Sequence, residues 1–107
     1  MNAIVSHMFD GDYFSQWLGI RRLEEGPGHC KLEMTVRPEM VNGFGIAHGA
    51  ITYALADSAL AFASNANGRK AVSIETSINH LKPVMPGDLL TAITTQTSLG
   101  HKLGIYH

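Results

Sequence analysis

The sequence predicts an α+β domain in which an antiparallel sheet wraps one long buried helix. Three observations carry this reading. Several short stretches alternate apolar and polar side chains with period two, as half-buried strands do. A single run, Ala47 to Ala66, has no proline and is rich in Ala and Leu, which marks one long helix. The elements follow one another as helix, two strands, long helix, three strands, with none of the strand–helix alternation that a parallel dinucleotide-binding sheet requires. At 107 residues the chain is one domain, residues 1–107, with room for a single core.

In chain order, Phe9, Tyr13, Phe14, Trp17 and Leu18 recur at spacings of a short amphipathic helix over Met8 to Leu18, stopped by Gly19. Ile20 to Glu25 and His29 to Arg37 read as two strands joined through Gly26-Pro27-Gly28. In the second strand Cys30, Leu32, Met34 and Val36 fall on one side, which makes Cys30 a core residue. Pro38 to Ile46 is a loop, and the long helix ends at Asn67-Gly68. Ala71 to Leu81 alternates again, with Val72, Ile74, Thr76 and Ile78 on one face, and is expected to be a strand. The stretch from Lys82 to Asp88 is a rigid turn, Leu89 to Ser98 a Thr-rich strand, and Lys102 to His107 the start of another.

Composition narrows the function classes. Charged residues make up 16% of the chain, below the usual quarter, while apolar residues reach 45%, so part of the surface is expected to meet another subunit. With 8 basic against 9 acidic side chains there is no basic field for nucleic acid. The one cysteine, Cys30, has no disulfide partner and fits a reducing compartment. Neither a signal-peptide pattern nor an apolar stretch of about eighteen residues is present, so the expected location is cytoplasmic, with no membrane partner. Gly43-Phe44-Gly45-Ile46-Ala47-His48 begins like a phosphate loop, but His48 stands where the last glycine belongs.

Within the long helix the only charged side chain is Asp57. At 100° per residue, Ile51, Leu55, Ala59 and Phe62 share one apolar face, while Asp57 lies opposite with Tyr53, Ala61 and Ser64. That second face is also mostly small or apolar, so it is expected to be covered by a second subunit, placing Asp57 in a partly dry cleft. The residues alone leave open a plainer reading, an Asp satisfied by a nearby hydroxyl or backbone group.

The segment Asn42-Gly43-Phe44-Gly45-Ile46-Ala47-His48-Gly49-Ala50, followed by Ala54-Leu55-Ala56-Asp57-Ser58-Ala59, resembles the active-site segment of the hotdog-fold acyl-CoA thioesterases, specifically the phenylacetate-degradation (PaaI-like) branch. The resemblance continues through Ser77-Ile78-Asn79-His80-Leu81-Lys82-Pro83 and Pro86-Gly87-Asp88, and so covers most of the chain. It implies a helix wrapped by a sheet, and a dimer joined edge to edge and commonly paired into a homotetramer. The substrate it implies is an acyl-CoA, aryl-acyl or medium-sized, hydrolysed to free acid and CoA without a cofactor, CoA being part of the substrate.

The resemblance also assigns roles. Gly49 is the oxyanion donor through its backbone N–H, Asn42 a polar neighbour of the thioester, and Asp57 the catalytic carboxylate, as nucleophile or general base. His48, Tyr53, Asn79 and Lys82 are the expected substrate contacts, with Lys82 and Arg69 candidates for CoA phosphates. Some relatives carry a hydroxyl one turn after the carboxylate, where this chain has Ala61, so Ser58 or Ser64 is the remaining candidate for holding a water. The physical chemistry fits Gly49, because a helix N-terminus offers unpaired N–H groups and a missing side chain lets a carbonyl approach. His7, His29, His80, His101 and His107 show no metal-ligand spacing, so no metal is expected. The same fold serves enoyl-thioester hydratases and dehydratases, for which His48 and Asp57 would be the acid–base pair, and non-catalytic acyl-CoA binding modules.

Two further expectations concern assembly. The resemblance implies one more strand after His107, lying between the last strand and the one containing Ile74 and Ile78. Gly49 and Asp57, eight residues apart on one helix, are separated by about 12 Å along its axis. One thioester carbonyl cannot touch both, so each site is expected to be shared between two chains.

Overall fold

The computed structural model describes all 107 residues, Met1 to His107. Two helices, α1 (Ala3–Gly11) and α2 (Tyr13–Leu18), precede strands β1 (Arg21–Gly26) and β2 (His29–Thr35). A single 3-10 turn at Pro38–Met40 leads to the long helix α3 (Gly49–Asn65), and strands β3 (Leu89–Leu99) and β4 (Gly104–Tyr106) complete the chain. The four strands form one antiparallel sheet in the order β1-β2-β3-β4, with α3 packed across it.

The expected first helix is in fact two, because Asp12 breaks the run and caps the second piece. Its carboxylate accepts from Ser15 N at 3.0 Å and from Ser15 Oγ at 2.5 Å. The first piece begins earlier than expected, at Ala3, since the Asn2 side chain accepts from Ile4 N and Val5 N. Asn2 Nδ2 also donates to Ala66 O, fixing α1 against the end of α3. At the end of α2, Gly19 takes the left-handed conformation, φ 76°, that a helix C-cap favours.

The β1–β2 hairpin turns at Gly26-Pro27-Gly28 as expected. Gly28 has φ 80°, and a Cβ there would press on the Gln96 side chain at 3.0 Å, so the position requires glycine. Its N–H donates to Ala63 O, which pins the turn to α3. Between Arg22 and Glu24 the register shifts by one residue, leaving Leu23 outside the pairing.

Cys30, Leu32 and Met34 are buried on one face of β2, as their alternation predicts, with Val36 buried just past its end, and meet Ile51, Leu55, Ala59 and Phe62 of α3. Phe9 packs edge-on against Phe62, with ring centroids 6.2 Å apart. Burial, aided by the Glu25 carboxylate and opposed by Arg22, pushes the Cys30 thiol up to about 12, so it stays protonated at neutral pH.

The strand expected at Ala71 to Leu81 is not one. These residues form no regular element, with a bend at Ile74, are exposed, and pair with none of the four strands. The segment is instead fastened along α3 by side chains. Asn65 exchanges two bonds with the Ala71 backbone, Tyr53 bonds Thr76, and Thr52 bonds His80. Alternation specifies which side chains face inward, but a ladder also needs a neighbouring backbone, and here the neighbour is a helix. The last strand starts at Gly104 rather than Lys102, because Gly100 N donates to Leu103 O and the turn occupies the intervening residues.

Candidate functional site

The loop before α3 is organised around Asn42. Its side-chain oxygen accepts from Phe44 N at 2.9 Å, its carbonyl accepts from Gly45 N, and its N–H donates to Ile46 O. A bridge between Val41 and Ala47 closes this small loop, with Phe44 exposed at its tip. His48 then caps α3: its Nδ1 accepts from Ala50 N at 3.1 Å, which puts the proton of the neutral imidazole on Nε2. Ile51 N donates to the His48 carbonyl, while Gly49 N–H makes no hydrogen bond within the chain. Helix α3 therefore starts with an unbonded N–H on an exposed residue without a side chain.

Gly49 and Asp57 line the same recess, of about 510 Å³, together with Ala50, Tyr53 and Ala54 of α3, Phe14 of α2, and His80 of the extended segment. Asp57 also borders a second recess of about 700 Å³ further along the same face of α3, where Ser64, Arg69, Lys70 and Ser73 contribute. Asp57 is thus shared by two successive recesses on that face and is exposed in the single chain.

The structure brings together Gly49, Tyr53 and Asp57 of the residues singled out from the sequence. Asn42 and His48 flank the start of α3 without lining either recess, and Asn79 and Lys82 are exposed and line neither. Arg69 borders the second recess and donates to His101 O at 2.8 Å. Ser58, a candidate for holding a water, is buried and bonded to Ser15 Oγ at 2.7 Å, so its hydroxyl is committed away from solvent, whereas Ser64 lines the second recess.

Two wall residues escaped the sequence reading. His80 extends the even-numbered face of its segment, and Thr76 and His80 both bond α3, so the alternation itself contained that signal. Thr52 Oγ1 donates to Gly49 O at 3.0 Å, leaving it to accept from His80 Nδ1 at 3.2 Å. Phe14 had only its helical spacing to distinguish it, and nothing in the sequence says which side of α2 meets α3.

A model of the family described as "Thioesterase superfamily" matches residues 44–107, the stretch that contains α3 and the recess. The chain belongs to the thioesterase superfamily. It is 35% identical over 99 residues to the acyl-coenzyme A thioesterase PaaI of Escherichia coli, covering 92% of this chain and 71% of that one. A putative esterase of Archaeoglobus fulgidus is 37% identical over 106 residues, 99% of this chain and 69% of that one. The structure of the E. coli PaaI protein superposes with a TM-score of 0.94 at 34% identity, covering 96% of this chain and 75% of that one. This thioesterase-superfamily chain accordingly has the hotdog fold and is PaaI-like, and the α+β reading with α3 as the wrapped helix holds.

Proposed function

We propose that this chain hydrolyses an acyl-CoA thioester to free acid and CoA. The observation that carries the reading is the free Gly49 N–H at the start of α3, on the wall of an exposed recess on the same helix face as Asp57. As the thioester carbonyl is attacked, its oxygen gains negative charge, and the Gly49 N–H with the positive end of the helix dipole favours that charge. Asp57 either attacks the carbonyl, giving a mixed anhydride that water then cleaves, or takes a proton from the attacking water. Thiolate departs unaided because its conjugate acid has a pKa of ~8.5, so the reaction needs neither a metal nor a redox cofactor. Asn42 orders the loop leading to Gly49, and Tyr53 borders the acyl group. Asn79, Lys82 and Arg69 are available to the CoA portion from the exposed rim.

The sites are shared between two chains of a homodimer, which pairs further into a tetramer, in the cytoplasm. The support is geometric. Gly49 and Asp57 of one helix are about 12 Å apart at 1.5 Å per residue, whereas donor and base must both approach to ~3 Å. Two antiparallel α3 helices related by a two-fold axis would place each Gly49 beside Asp57 of the partner subunit, and the exposed small side chain of Ala50 permits the approach. The hydratase alternative has less support, because His48 Nδ1 is engaged by Ala50 N and the ring lines neither recess.

Thiol release measured across a panel of acyl-CoA esters tests the reading. Release that depends on Asp57 is expected; tight binding without turnover would make the protein a sensor, and hydration of an enoyl-CoA would make it a hydro-lyase. Single-turnover hydrolysis in ¹⁸O-water probes the routes, since label in the Asp57 carboxylate arises only from an anhydride whose aspartyl carbonyl is attacked by water.

A further inference from the structure

Helix α2 is anchored more firmly than its six residues require, yet it leaves an aromatic ring uncovered. Ser15, 1% exposed, bonds both Asp12 at 2.5 Å and Ser58 of α3 at 2.7 Å, and Leu18 is fully buried. From the other end, the Arg37 guanidinium lies 4.8 Å from the Trp17 ring centroid and donates to Trp17 O at 2.6 Å. Phe14, between these anchors, stacks on Trp17 with centroids 6.1 Å apart and planes 16° from parallel, but is 57% exposed. Its open side belongs to the recess that holds Gly49 and Asp57. Ala50 and Ala54 of α3 line the same recess, and within one chain each brings only a methyl group to it.

We propose that Phe14 is a specificity-determining residue: its ring forms the wall against which an apolar acyl group lies, so that a flat or extended acyl chain is preferred over acetyl. This rests on the acyl-CoA reading above and adds to it the element that reads the acyl group. The bond from Ser15 to Ser58, the residue after Asp57, fixes the distance between that wall and the carboxylate. A ring held in place before ligand arrives loses little freedom on binding, so its contact is realised almost fully as affinity. An aromatic contact of this kind, with the apolar area it covers, is worth about tenfold in binding.

The test compares CoA with the thioether analogue S-(2-oxo-3-phenylpropyl)-CoA, which carries the phenylacetyl shape but cannot be hydrolysed. Binding is measured by calorimetry on the full chain and on Phe14→Ala and Phe14→Leu, with folding and oligomeric state followed by circular dichroism and size exclusion. The expected result is that wild type binds the analogue about tenfold or more tighter than CoA. Phe14→Ala should lose most of that ratio with CoA affinity unchanged, and Phe14→Leu should fall between. A ratio that survives in Phe14→Ala overturns the proposal and leaves the acyl-CoA reading standing. So does an equal loss for CoA and analogue, which would mark a general structural role, or a shift in oligomeric state, which would assign the ring to an interface between copies. If wild type binds neither compound, the acyl-CoA reading falls and this inference with it.

Discussion

Replacing Gly49 by alanine separates the role of its N–H from its role in the fold. The backbone there is not in the left-handed region, and an added Cβ would meet only His80, at 3.4 Å from Nε2 and 3.6 Å from Cε1. These are ordinary van der Waals contacts with the end of an exposed side chain, so the fold has no reason to resist. Alanine is also the better helix former, by up to about 1 kcal/mol in a helix interior and less at the first position. The melting temperature should therefore hold or rise slightly, since about 1 kcal/mol corresponds to only ~4–8 °C in a domain of this size. Activity should behave differently. The methyl group stands where a carbonyl oxygen must approach the N–H, and loss of one oxyanion donor costs about 3 kcal/mol, or 10²–10³ in kcat. The assay is thiol release from an acyl-CoA ester, with thermal melts in parallel. Turnover within threefold of wild type would refute the Gly49 assignment, and a fall in activity matched by a fall of many degrees in Tm would show that the glycine is there for the fold.

Three other outcomes are expected. Asp57→Asn should fold normally, because the side chain is exposed, and lose most hydrolysis, since an amide is neither a nucleophile nor a base; turnover close to wild type would remove Asp57 from the chemistry. Mixed with a variant inactivated at Asn42, it should recover activity in heterodimers, where one of the two sites draws intact residues from both chains, and a confirmed heterodimer without turnover would argue against shared sites. Cys30 should resist thiol reagents until the protein unfolds. Its raised folded pKa leaves stability unaffected by this group below pH 9.0 and lowers it as pH climbs from there to about 12, because only the unfolded thiol ionises in that window; urea midpoints that do not fall across it would contradict the burial argument.

The parts of the fold legible in the sequence are those fixed by local pattern and by one partner surface. The alternation of Cys30, Leu32 and Met34, continued by Val36 just beyond the strand, identified the buried face of β2, and the spacing of Ile51, Leu55, Ala59 and Phe62 identified the core face of α3, because in each case burial selects every second or every third to fourth residue. The break at Asp12 was missed because the aromatic spacing runs across it, while the capping bonds to Ser15 that stop α1 and start α2 depend on side-chain geometry. Ala71 to Leu81 shows the limit most clearly: its pattern is that of a strand, but pairing is a property of the neighbour. At the site, Asp57 stood out as the one charge in an apolar helix, and Gly49 through the family resemblance. Phe14 and His80 reach the recess through tertiary placement, His80 by way of Thr52, and only His80 left a trace in the alternation.

The fastening of residues 71–81 to α3 sets how the molecule opens. In β2 and β3 the backbones are tied to each other residue after residue, from His29 with Thr95 to Thr35 with Leu89, so their amides exchange with solvent only when much of the sheet comes apart. The extended segment is tied by a few side-chain bonds, at Asn65, Tyr53 and Thr52, and each can break alone. Its amides belong to the least protected tier of the chain, and its excursions leave the core intact. His80 rides on that tier. Within the chain, one wall of the recess thus hangs on bonds that break singly, while the opposite wall on α2 and the floor on α3 are held by buried contacts. A ligand entering here meets a rigid template on two sides and a yielding one on the third.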